Sequence, residues 1–312
     1  MITSSVLAPA VRTTVEDLLS RTTAHDGVAP LDEAARLSLA GDSAQHLLLT
    51  ADGTDPVDGA DRARALIGYA NLLPDGTVQG MVDPAHRRAG HGTALLRAAL
   101  AARPDAGVWA HGALDGALAL LTGEGLVETR CLLTLHRPLG EAAPLPAPRP
   151  SDLPGLQLGP FDAERDAEEW VRVNAAAFAA HPEQGAMTLE DLRLRLAEPW
   201  FDAEDLLVAR QDGRMVGFVW VKREDRSAGA DAEIYVVGTD PSVQGHGVAG
   251  HLLGASLARL AATGAGGVEL YVEADNTAAL SLYERWGFTV AGRDVQLRAR
   301  AEAPGSAGTG GA

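Results

Sequence analysis

The sequence is poor in cysteine and lysine and has no long apolar run. Its one cysteine, Cys131, cannot form a disulfide within the chain, and such scarcity is typical of a reducing compartment. We expect Cys131 to act as a small apolar side chain. No segment approaches the roughly 18 apolar residues of a membrane span, and the N-terminus lacks the basic and apolar regions of a signal peptide. A cytoplasmic protein is therefore expected.

Basic residues are also in the minority. Lysine and arginine together number 26 against 42 aspartates and glutamates, which gives a formal net charge of −16. This charge repels nucleic-acid phosphate and anionic lipid, so neither nucleic acid nor membrane is expected as a partner. Lys222 is the only lysine in the chain. With 312 residues, 46% of them apolar, the chain is long enough for two domains with their own cores.

A proline-rich segment divides the chain near its middle. Residues 138–155 lack hydrophobic periodicity and predict a stiff linker between domains at 1–137 and 156–300. Residues 301–312 have too little apolar content to fold and predict a disordered tail.

Two segments of the sequence repeat each other. VDPAHRRAGHGTALL at 82–96 and TDPSVQGHGVAGHLL at 239–253 align without a gap at an offset of 157 residues. Each follows a strand-like run and continues into a helical, Ala- and Leu-rich stretch. The two halves are therefore predicted to be copies of one fold. Such a duplication supplies two lobes within one chain and favours a monomer.

Hydrophobic periodicity predicts strands in the middle of each half and helices on their faces. The Asp-Gly pair within 211–214 predicts a hairpin turn. Each half is therefore predicted to be α/β with a mixed sheet. In the second half, the predicted strands are 156–159, 206–210, 215–222, 233–239, 268–273 and 288–298, and the predicted helices are 163–180, 189–197, 247–262 and 277–286.

Glycine-rich loops occur at a strand-to-helix junction in both copies of the repeat. The pattern Q/R-x-x-G-x-G/A is matched by Gln244-Gly245-His246-Gly247-Val248-Ala249 and by Arg87-Arg88-Ala89-Gly90-His91-Gly92. Glycine lets the backbone approach a ligand closely, and the free N–H groups of a helix start attract phosphate. The loops thus favour a pyrophosphate cradle, although a purely structural turn gives the same pattern. A Rossmann site is disfavoured, because no G-x-G-x-x-G opens an early βαβ unit.

The second loop belongs to a wider combination of residues. In order, these are a strand ending in Asp240-Pro241, the loop, a strand at 269–273, Asn276, Tyr283 and Trp286-Gly287-Phe288. The set resembles the GCN5-related N-acetyltransferase (GNAT) family, and the resemblance covers nearly all of both halves. It implies two tandem GNAT domains that use acetyl-CoA as co-substrate, with its pyrophosphate on the glycine loop.

Three shorter segments narrow this resemblance. With the tandem halves, DGVAPLDE at 26–33, AHPEQG at 180–185 and EIYVVGTDP at 233–241 resemble the branch of the family that acetylates the cysteinyl amine of cysteinyl-glucosaminyl-inositol. The implied substrate contacts are Glu33, Glu183, Lys222, Glu233 and Tyr271. The implied acetyl-CoA contacts of the second half are Val237, Gly238, Thr239, Gln244, Gly245, His246, Gly247, Val248, Ala249, Gly250, Asn276, Thr277, Ala278, Ala279, Leu280 and Ser281. Those of the first half are Gly80, Met81, Val82, Arg87, Arg88, Ala89, Gly90, His91, Gly92 and Thr93.

Alignment of the halves indicates which one is the catalyst. The second-half residues and their first-half counterparts are Glu233 with Gly76, Tyr283 with Leu121, Asn276 with Leu114 and Lys222 with Leu73. The first half keeps a cradle and lacks these polar residues. It is therefore predicted to be non-catalytic, and catalysis is predicted in the second half.

Acetyl transfer from a thioester to an amine needs a base, a polarised carbonyl and a donor for the leaving thiolate. An α-amine has a pKa of about 8, so a partly buried glutamate suffices as base, directly or through a water, and we assign this role to Glu233. We assign the donor to Tyr283 and the polarising group to a backbone N–H around Val237. Transfer is expected to be direct, without an acyl-enzyme on Cys131.

Each assigned residue also has a structural explanation. Glu233 and Lys222 suit solvent-facing strand positions, and Tyr283 has the helical spacing of a packed face. Glu33 suits the first turn of a short helix, and Tyr271 suits strand packing. His91 and His246 are expected to be incidental to the chemistry.

Two other functions remain compatible with the sequence. An acidic chain with carboxylates near the site also suits another amine acceptor, such as an aminoglycoside, a polyamine or a protein N-terminus. A non-catalytic acyl-CoA sensor is the other alternative, and Glu233 and Tyr283 argue against it. No His, Cys or Asp set has metal-ligand spacing, so no metal is expected.

Overall fold

The computed structural model of the chain describes residues 1–51, 66–179 and 182–300, and of Pro182 and Glu183 only the backbone. The helices are α1 Pro9–Asp26, α2 Glu33–Ser38, α3 His91–Ala102, α4 Asp115–Gly123, α5 Ala163–Ala177, α6 Pro182–Gly185, α7 Leu189–Leu196, α8 Val248–Ala262 and α9 Thr277–Arg285. The strands are β1 Ile2–Ser4, β2 Gln45–Thr50, β3 Leu66–Leu72, β4 Thr77–Val82, β5 Gly107–Ala110, β6 Leu126–Pro138, β7 Leu156–Pro160, β8 Leu206–Gln211, β9 Arg214–Lys222, β10 Ala232–Thr239, β11 Gly267–Glu273 and β12 Thr289–Ala299.

The chain forms two units, and the boundaries between them fall within strands β6 and β12. The first unit contains Met1–Leu132 and the segment that begins at Gly292, and the second contains Leu133–Ala291. Most of β12 therefore lies in the first unit, where it pairs antiparallel with β5. The last residues of β6 lie in the second unit. The predicted domain at 156–300 thus ends in a strand that completes the first unit.

In the first unit, the strand order is β1-β2-β3-β4-β5-β12. β4 and β5 are parallel, and the pairs on either side of them are antiparallel. Buried residues of α1 and α2 cover one face of this sheet, and those of α3 and α4 cover the other. Cys131 packs against the core beneath α3 and α4.

The second unit repeats this architecture with the order β6-β11-β10-β9-β8-β7. Buried residues of α5 and α7 pack on one face, and those of α8 and α9 pack on the other. The predicted hairpin turn is present between β8 and β9, with Asp212 and Gly213 both at positive φ (52° and 82°). The predicted mixed α/β fold of tandem, related halves is confirmed.

One predicted helix is shorter than expected. Helix α5 ends at Ala177 rather than 180, and α6 packs on its C-terminal end. The buried Asn174 amide donates to Gln184 O over 2.6 Å and fixes α6 there. A Cβ on Gly185 would lie 2.4 Å from Phe178 O, so this close approach requires glycine.

The proline-rich segment between β6 and β7 forms no helix or strand and lies within the second unit. Leu145 and Leu153 pack against the core beneath α8 and α9. The predicted tail, 301–312, lies outside the described residues. Within the described ranges, no helix combines the length and the apolar character needed to cross a membrane.

His46 makes the stability of the first unit depend on pH. Its side chain is fully buried on β2, Nδ1 lies 2.8 Å from Tyr69 Oη, and burial lowers the pKa of its imidazole below 6.5. As pH falls below about 6.5, the unfolded chain takes up a proton that folded His46 does not, so the free energy of unfolding falls. We expect denaturant titrations at pH 7 and pH 5 to show this loss, and His46→Gln to reduce it. An unchanged pH dependence in His46→Gln would contradict this role of His46.

Candidate active site

The candidate site of the second unit begins where two parallel strands separate. β10 and β11 pair at Ala232↔Val268 and Glu233↔Glu269. Beyond Glu233, β10 continues to Thr239, and over this stretch its register partner in the described chain is β9. Parallel strands normally share evenly spaced hydrogen bonds, so beyond Glu233 a gap opens along the edge of β10 that faces away from β9, and we call this gap the cleft.

The backbone of β10 presents Val237 to this cleft. Asp240 N–H donates to Val216 O, on the β9 side, over 2.9 Å. Successive residues of a strand direct their backbone groups to opposite edges. Gly238 therefore faces β9, and Val237 and Thr239 face the cleft. The predicted carbonyl-polarising N–H of Val237 lies on the edge that this function requires.

A β-bulge bends β10 next to Glu233. The register with β9 shifts between Ile234 and Val236, which leaves Tyr235 as the extra residue. In the first unit, the ladder between β3 and β4 runs without a shift. The bend therefore distinguishes the two units at the strand that carries Glu233.

The bulge also corrects the alignment of the halves. Because Tyr235 has no counterpart, residues before the bulge align at an offset one smaller than the 157 that holds after it. Glu233 therefore corresponds to Thr77. The predicted counterpart, Gly76, was wrong by one residue. The Thr77 hydroxyl donates to Asp75 over 2.9 Å. The first unit thus has a hydroxyl where the second has a carboxylate, so the difference between the halves persists.

Lys222 and Glu233, both predicted substrate contacts, lie directly opposite each other on β9 and β10. Residues paired in this way place their side chains on the same face of a sheet. The Lys222 side chain is only 13% exposed, with Nζ 2.8 Å from Glu224 Oε1 and 5.6 Å from the centre of the Trp200 ring. Trp200, which lies beside the single lysine of the chain, belongs to a segment without hydrophobic periodicity, so sequence patterns did not indicate it.

Tyr271 adds an exposed ring to the same face. Its neighbours Leu270 and Val272 pack into the core on the α8 and α9 side, so alternation directs Tyr271 to the opposite face. Tyr271 follows Glu269 by two residues and shares its face, and its side chain is 49% exposed. The structure therefore brings Lys222, Glu233 and Tyr271 onto one face.

Tyr283 has a buried ring and a hydroxyl with access to the surroundings. The ring packs edge to face with Phe288, 5.7 Å between centres, within the core beneath α8 and α9. Its hydroxyl forms no hydrogen bond within the described residues and is not one of the fully enclosed polar atoms. Burial raises the pKa of Tyr283 to about 12, so the hydroxyl stays protonated at any physiological pH. Packing and proton donation are thus compatible in one residue.

The glycine loop of the second unit has the geometry of an anion-binding helix start. Gly245 and Gly247 adopt left-handed backbone conformations, with φ of 86° and 74°, that favour glycine. Gly247 caps α8, so the N–H groups of Val248, Ala249 and Gly250 lack an acceptor within the helix. The helix dipole adds positive potential at this end.

An ion pair anchors the turn before this loop. Arg172 on α5 donates to Asp240 over 2.8 Å, and this hydrogen bond, together with those from Ser242, lowers the pKa of Asp240 to about 2. The first unit repeats the device with Arg21 of α1 and Asp83, 3.0 Å apart. The same arginine-to-aspartate contact therefore ties both glycine loops to a helix on the other face of the sheet.

Asn276 serves as the N-cap of α9. Its side-chain oxygen accepts a hydrogen bond from Ala279 N–H over 3.1 Å. This cap accounts for the residue structurally, because it satisfies a donor of the first helical turn. A coenzyme contact from Asn276 remains a prediction.

The first unit encloses a cavity of about 780 Å³ at its glycine loop. Nine of the ten predicted acetyl-CoA contacts of this half line it, and Ala89 does not. The lining contacts are Gly80, Met81, Val82, Arg87, Arg88, Gly90, His91, Gly92 and Thr93. Trp109 of β5 and His111, which follows that strand, also line the cavity.

Arg87 is committed to a structural contact. Its guanidinium binds both carboxylate oxygens of Asp26 at 2.7 and 2.8 Å and donates to Val82 O. This contact lowers the pKa of Asp26 below its usual value. The Arg87 side chain thus fixes the loop to the end of α1, and the backbone of the loop is the part available to a ligand.

The remaining predicted substrate residues lie on helices. Glu33 is the exposed first residue of α2, immediately after the N-cap Asp32. Glu183 belongs to α6, and its side chain lies outside the described part of the structure, as does the preceding His181. Among the described residues, no group of three or more His, Cys, Asp or Glu could hold a metal ion.

Comparison with known proteins supplies the family context. The Acetyltransferase (GNAT) family profile matches residues 170–288. The mycothiol acetyltransferase of Brachybacterium faecium is 61% identical over 96% of this chain and 99% of its own length. That of Thermomonospora curvata is 45% identical over 90% of this chain and 91% of its own.

Solved structures share the fold. A GCN5-related N-acetyltransferase from Sphaerobacter thermophilus covers 95% of this chain and 94% of its own, with a TM-score of 0.68 and 25% identity. A tandem GNAT protein from the clavulanic acid biosynthesis pathway covers 94% of this chain and 96% of its own, with a TM-score of 0.62 and 19% identity. The predicted resemblance to tandem GNAT proteins is confirmed.

Proposed function

Because the chain belongs to the mycothiol acetyltransferases, a group of GNAT N-acetyltransferases, we propose that it transfers acetyl from acetyl-CoA to the cysteinyl amine of cysteinyl-glucosaminyl-inositol, giving mycothiol. The observation that carries the assignment to the second unit is the cleft between β10 and β11. Glu233 stands at its closed end, and the free edge of β10 lines it. The chemistry belongs to this unit.

Glu233 acts as the base for the acceptor amine. It takes a proton from the amine, directly or through a water, and the neutral amine attacks the thioester carbonyl. Lys222 and Tyr271 share its face of the sheet and bind hydroxyl groups of the sugar part of the acceptor. Glu33 and Glu183 are proposed as further acceptor contacts on the basis of the family resemblance.

The cleft stabilises the remaining charges of the reaction. Val237 N–H donates to the oxyanion that forms when the carbon–nitrogen bond is made. The carbon–sulfur bond then breaks, and Tyr283 donates a hydrogen bond to the leaving thiolate. The thiolate takes up the second amine proton, directly or through a water, and departs as the thiol of CoA. The Tyr283 pKa of about 12 exceeds the ordinary thiol value of about 8.5, so Tyr283 stabilises the thiolate mainly as a donor.

Replacement of Tyr283 by phenylalanine tests this role. A hydrogen bond to a charged group contributes about 1.5–3 kcal/mol, so we expect kcat to fall about tenfold to 100-fold. The KM for acetyl-CoA should stay close to wild type, because the ring keeps its packing on Phe288. The raised pKa keeps the phenol protonated up to about pH 10, so deprotonation of Tyr283 should not lower the wild-type kcat in that range. The pH profiles of wild type and variant should therefore have the same shape up to about pH 10. A kcat equal to wild type would assign Tyr283 to packing alone.

Acetyl-CoA is proposed to bind on both glycine loops, with turnover in the second unit only. The cavity at the first loop supports binding there, and Thr77 in place of Glu233 supports the absence of catalysis. The chain is proposed to work as a monomer in the cytoplasm, without nucleic-acid or membrane partners. The internal duplication and the net charge of −16 support this.

Mass spectrometry of the products tests the acceptor. Purified protein is incubated with acetyl-CoA and cysteinyl-glucosaminyl-inositol, and in parallel with an aminoglycoside, a polyamine and a peptide N-terminus. Rapid N-acetylation of the first acceptor alone is the expected result. Equal activity on the other amines would leave an acetyltransferase with another acceptor. Acetyl-CoA that binds and is recovered intact with every amine would identify a sensor.

A further inference from the structure

The end of the proline-rich segment contacts the glycine loop of the second unit. The Ser151 hydroxyl donates to His246 O over 2.6 Å, and Asp152 N–H donates to the same oxygen over 3.2 Å. Asp152 Oδ1 also lies 2.9 Å from His246 Nδ1. The segment therefore binds one carbonyl of the loop twice and the adjoining side chain once.

Ser151 is itself held in place by the residues that follow it. Ser151 Oγ accepts a hydrogen bond from Leu153 N–H over 3.1 Å, and the Leu153 side chain packs on the core of the second unit. A Cβ placed on Gly247 would lie 3.6 Å from Ser151 Cα, so the two backbones run close together. The segment is thus held against the loop by packing as well as by hydrogen bonds.

The contact fixes the direction of a peptide group. His246 C=O and Gly247 N–H belong to one planar peptide and point in opposite directions. With the carbonyl held toward Ser151, the N–H of Gly247 points away from the linker. One of the two torsions that orient this peptide is φ of Gly247, which rotates at low cost, so the loop alone does not fix its orientation.

We propose that Ser151 and Asp152 are positioning residues for the coenzyme site of the second unit. They hold the peptide between His246 and Gly247 so that its N–H faces the pyrophosphate of the acyl-CoA. This inference rests on the proposed binding of acetyl-CoA at this loop. In the first unit, the corresponding Ala89 carbonyl accepts no hydrogen bond from the described residues, and Arg87 fixes the loop instead. The contact of Ser151 and Asp152 with His246, which we call the clamp, therefore belongs to the unit that carries out the chemistry.

Steady-state kinetics of Ser151→Ala and Ser151→Thr test the clamp. The alanine variant loses the 2.6 Å bond, and we expect its KM for acetyl-CoA to rise about fivefold to tenfold. Its kcat at saturating acetyl-CoA and its KM for the acceptor should remain within about twofold of wild type. Ser151→Thr keeps a hydroxyl and should restore the KM. Ser20→Ala, which removes an exposed hydroxyl on α1, is the matched control.

The outcomes separate this inference from the function on which it rests. If the wild type turns over and Ser151→Ala has the same KM for acetyl-CoA as Ser20→Ala, the linker is only a spacer and the inference is wrong. A lower kcat at unchanged KM, or a threonine variant as weak as alanine, also contradicts it. If the wild type itself neither binds nor consumes acetyl-CoA, the proposed function fails, whatever residue stands at position 151.

Discussion

Replacing Glu233 with glutamine lowers kcat by about 100-fold to 10,000-fold, the range that a positioned general base contributes. Glutamine has the same shape and keeps an acceptor oxygen, so β10 retains its pairing with β9 and β11. What the variant loses is the ability to take the amine proton. The KM for acetyl-CoA should change little, because the glycine loop begins eleven residues further along the chain.

The control for Glu233→Gln is a variant that removes a carboxylate elsewhere in the same unit. Glu284→Gln, at an exposed position of α9, should retain the wild-type kcat. Raising the assay pH deprotonates the free amine and should partly restore the rate of Glu233→Gln. A kcat within tenfold of wild type at neutral pH would show that Glu233 is only a solvent-facing strand residue.

The second large effect is expected from Gly247→Glu, which should raise the KM for acetyl-CoA at least about 100-fold. At a φ of 74°, a residue with a Cβ is strained, and the Cβ would approach Ser151 Cα to 3.6 Å. The new carboxylate also repels the pyrophosphate at the start of α8. Each 1.4 kcal/mol lost from binding changes the affinity tenfold, and strain and repulsion act together here.

The first unit provides a matched position for this test. Gly90 caps α3 with nearly the same backbone, φ 82° and ψ 0° against 74° and 9° for Gly247. Gly90→Glu should remove acetyl-CoA from the first unit, measured as one fewer molecule bound per chain by calorimetry, with a far smaller effect on turnover. If Gly90→Glu lowered turnover as much as Gly247→Glu, catalysis would not be confined to the second unit.

The glycine loops were predictable because their chemistry is local. A left-handed backbone conformation just before a helix favours glycine. The sequence has glycine at this place in both halves, at Gly90 and at Gly247. The hairpin at Asp212 and Gly213 is predictable for the same reason. In each case, one short segment contains the residues that determine its own backbone.

The bulge at Tyr235 and the surroundings of Lys222 depend on partners distant in sequence. The run EIYVVGT at 233–239 contains nothing around Tyr235 that marks an extra residue, and only its register with β9 reveals the bulge. Trp200 follows a helix in a segment without periodicity, so its position beside Lys222 follows from how α7 packs on the sheet. Local sequence patterns carry no information about such contacts.

The position of β12 in the first unit sets when that unit can be completed during synthesis. The first unit contains β1–β5, yet its sheet also includes β12, which is the last of the described strands along the chain. Asp294 on that strand accepts hydrogen bonds from His111 and from Gly112 N–H at the wall of the first cavity. Until the C-terminal strand emerges, β5 has an open edge, which is prone to pair with other chains. The first unit therefore lacks one of its strands until the whole second unit has been translated.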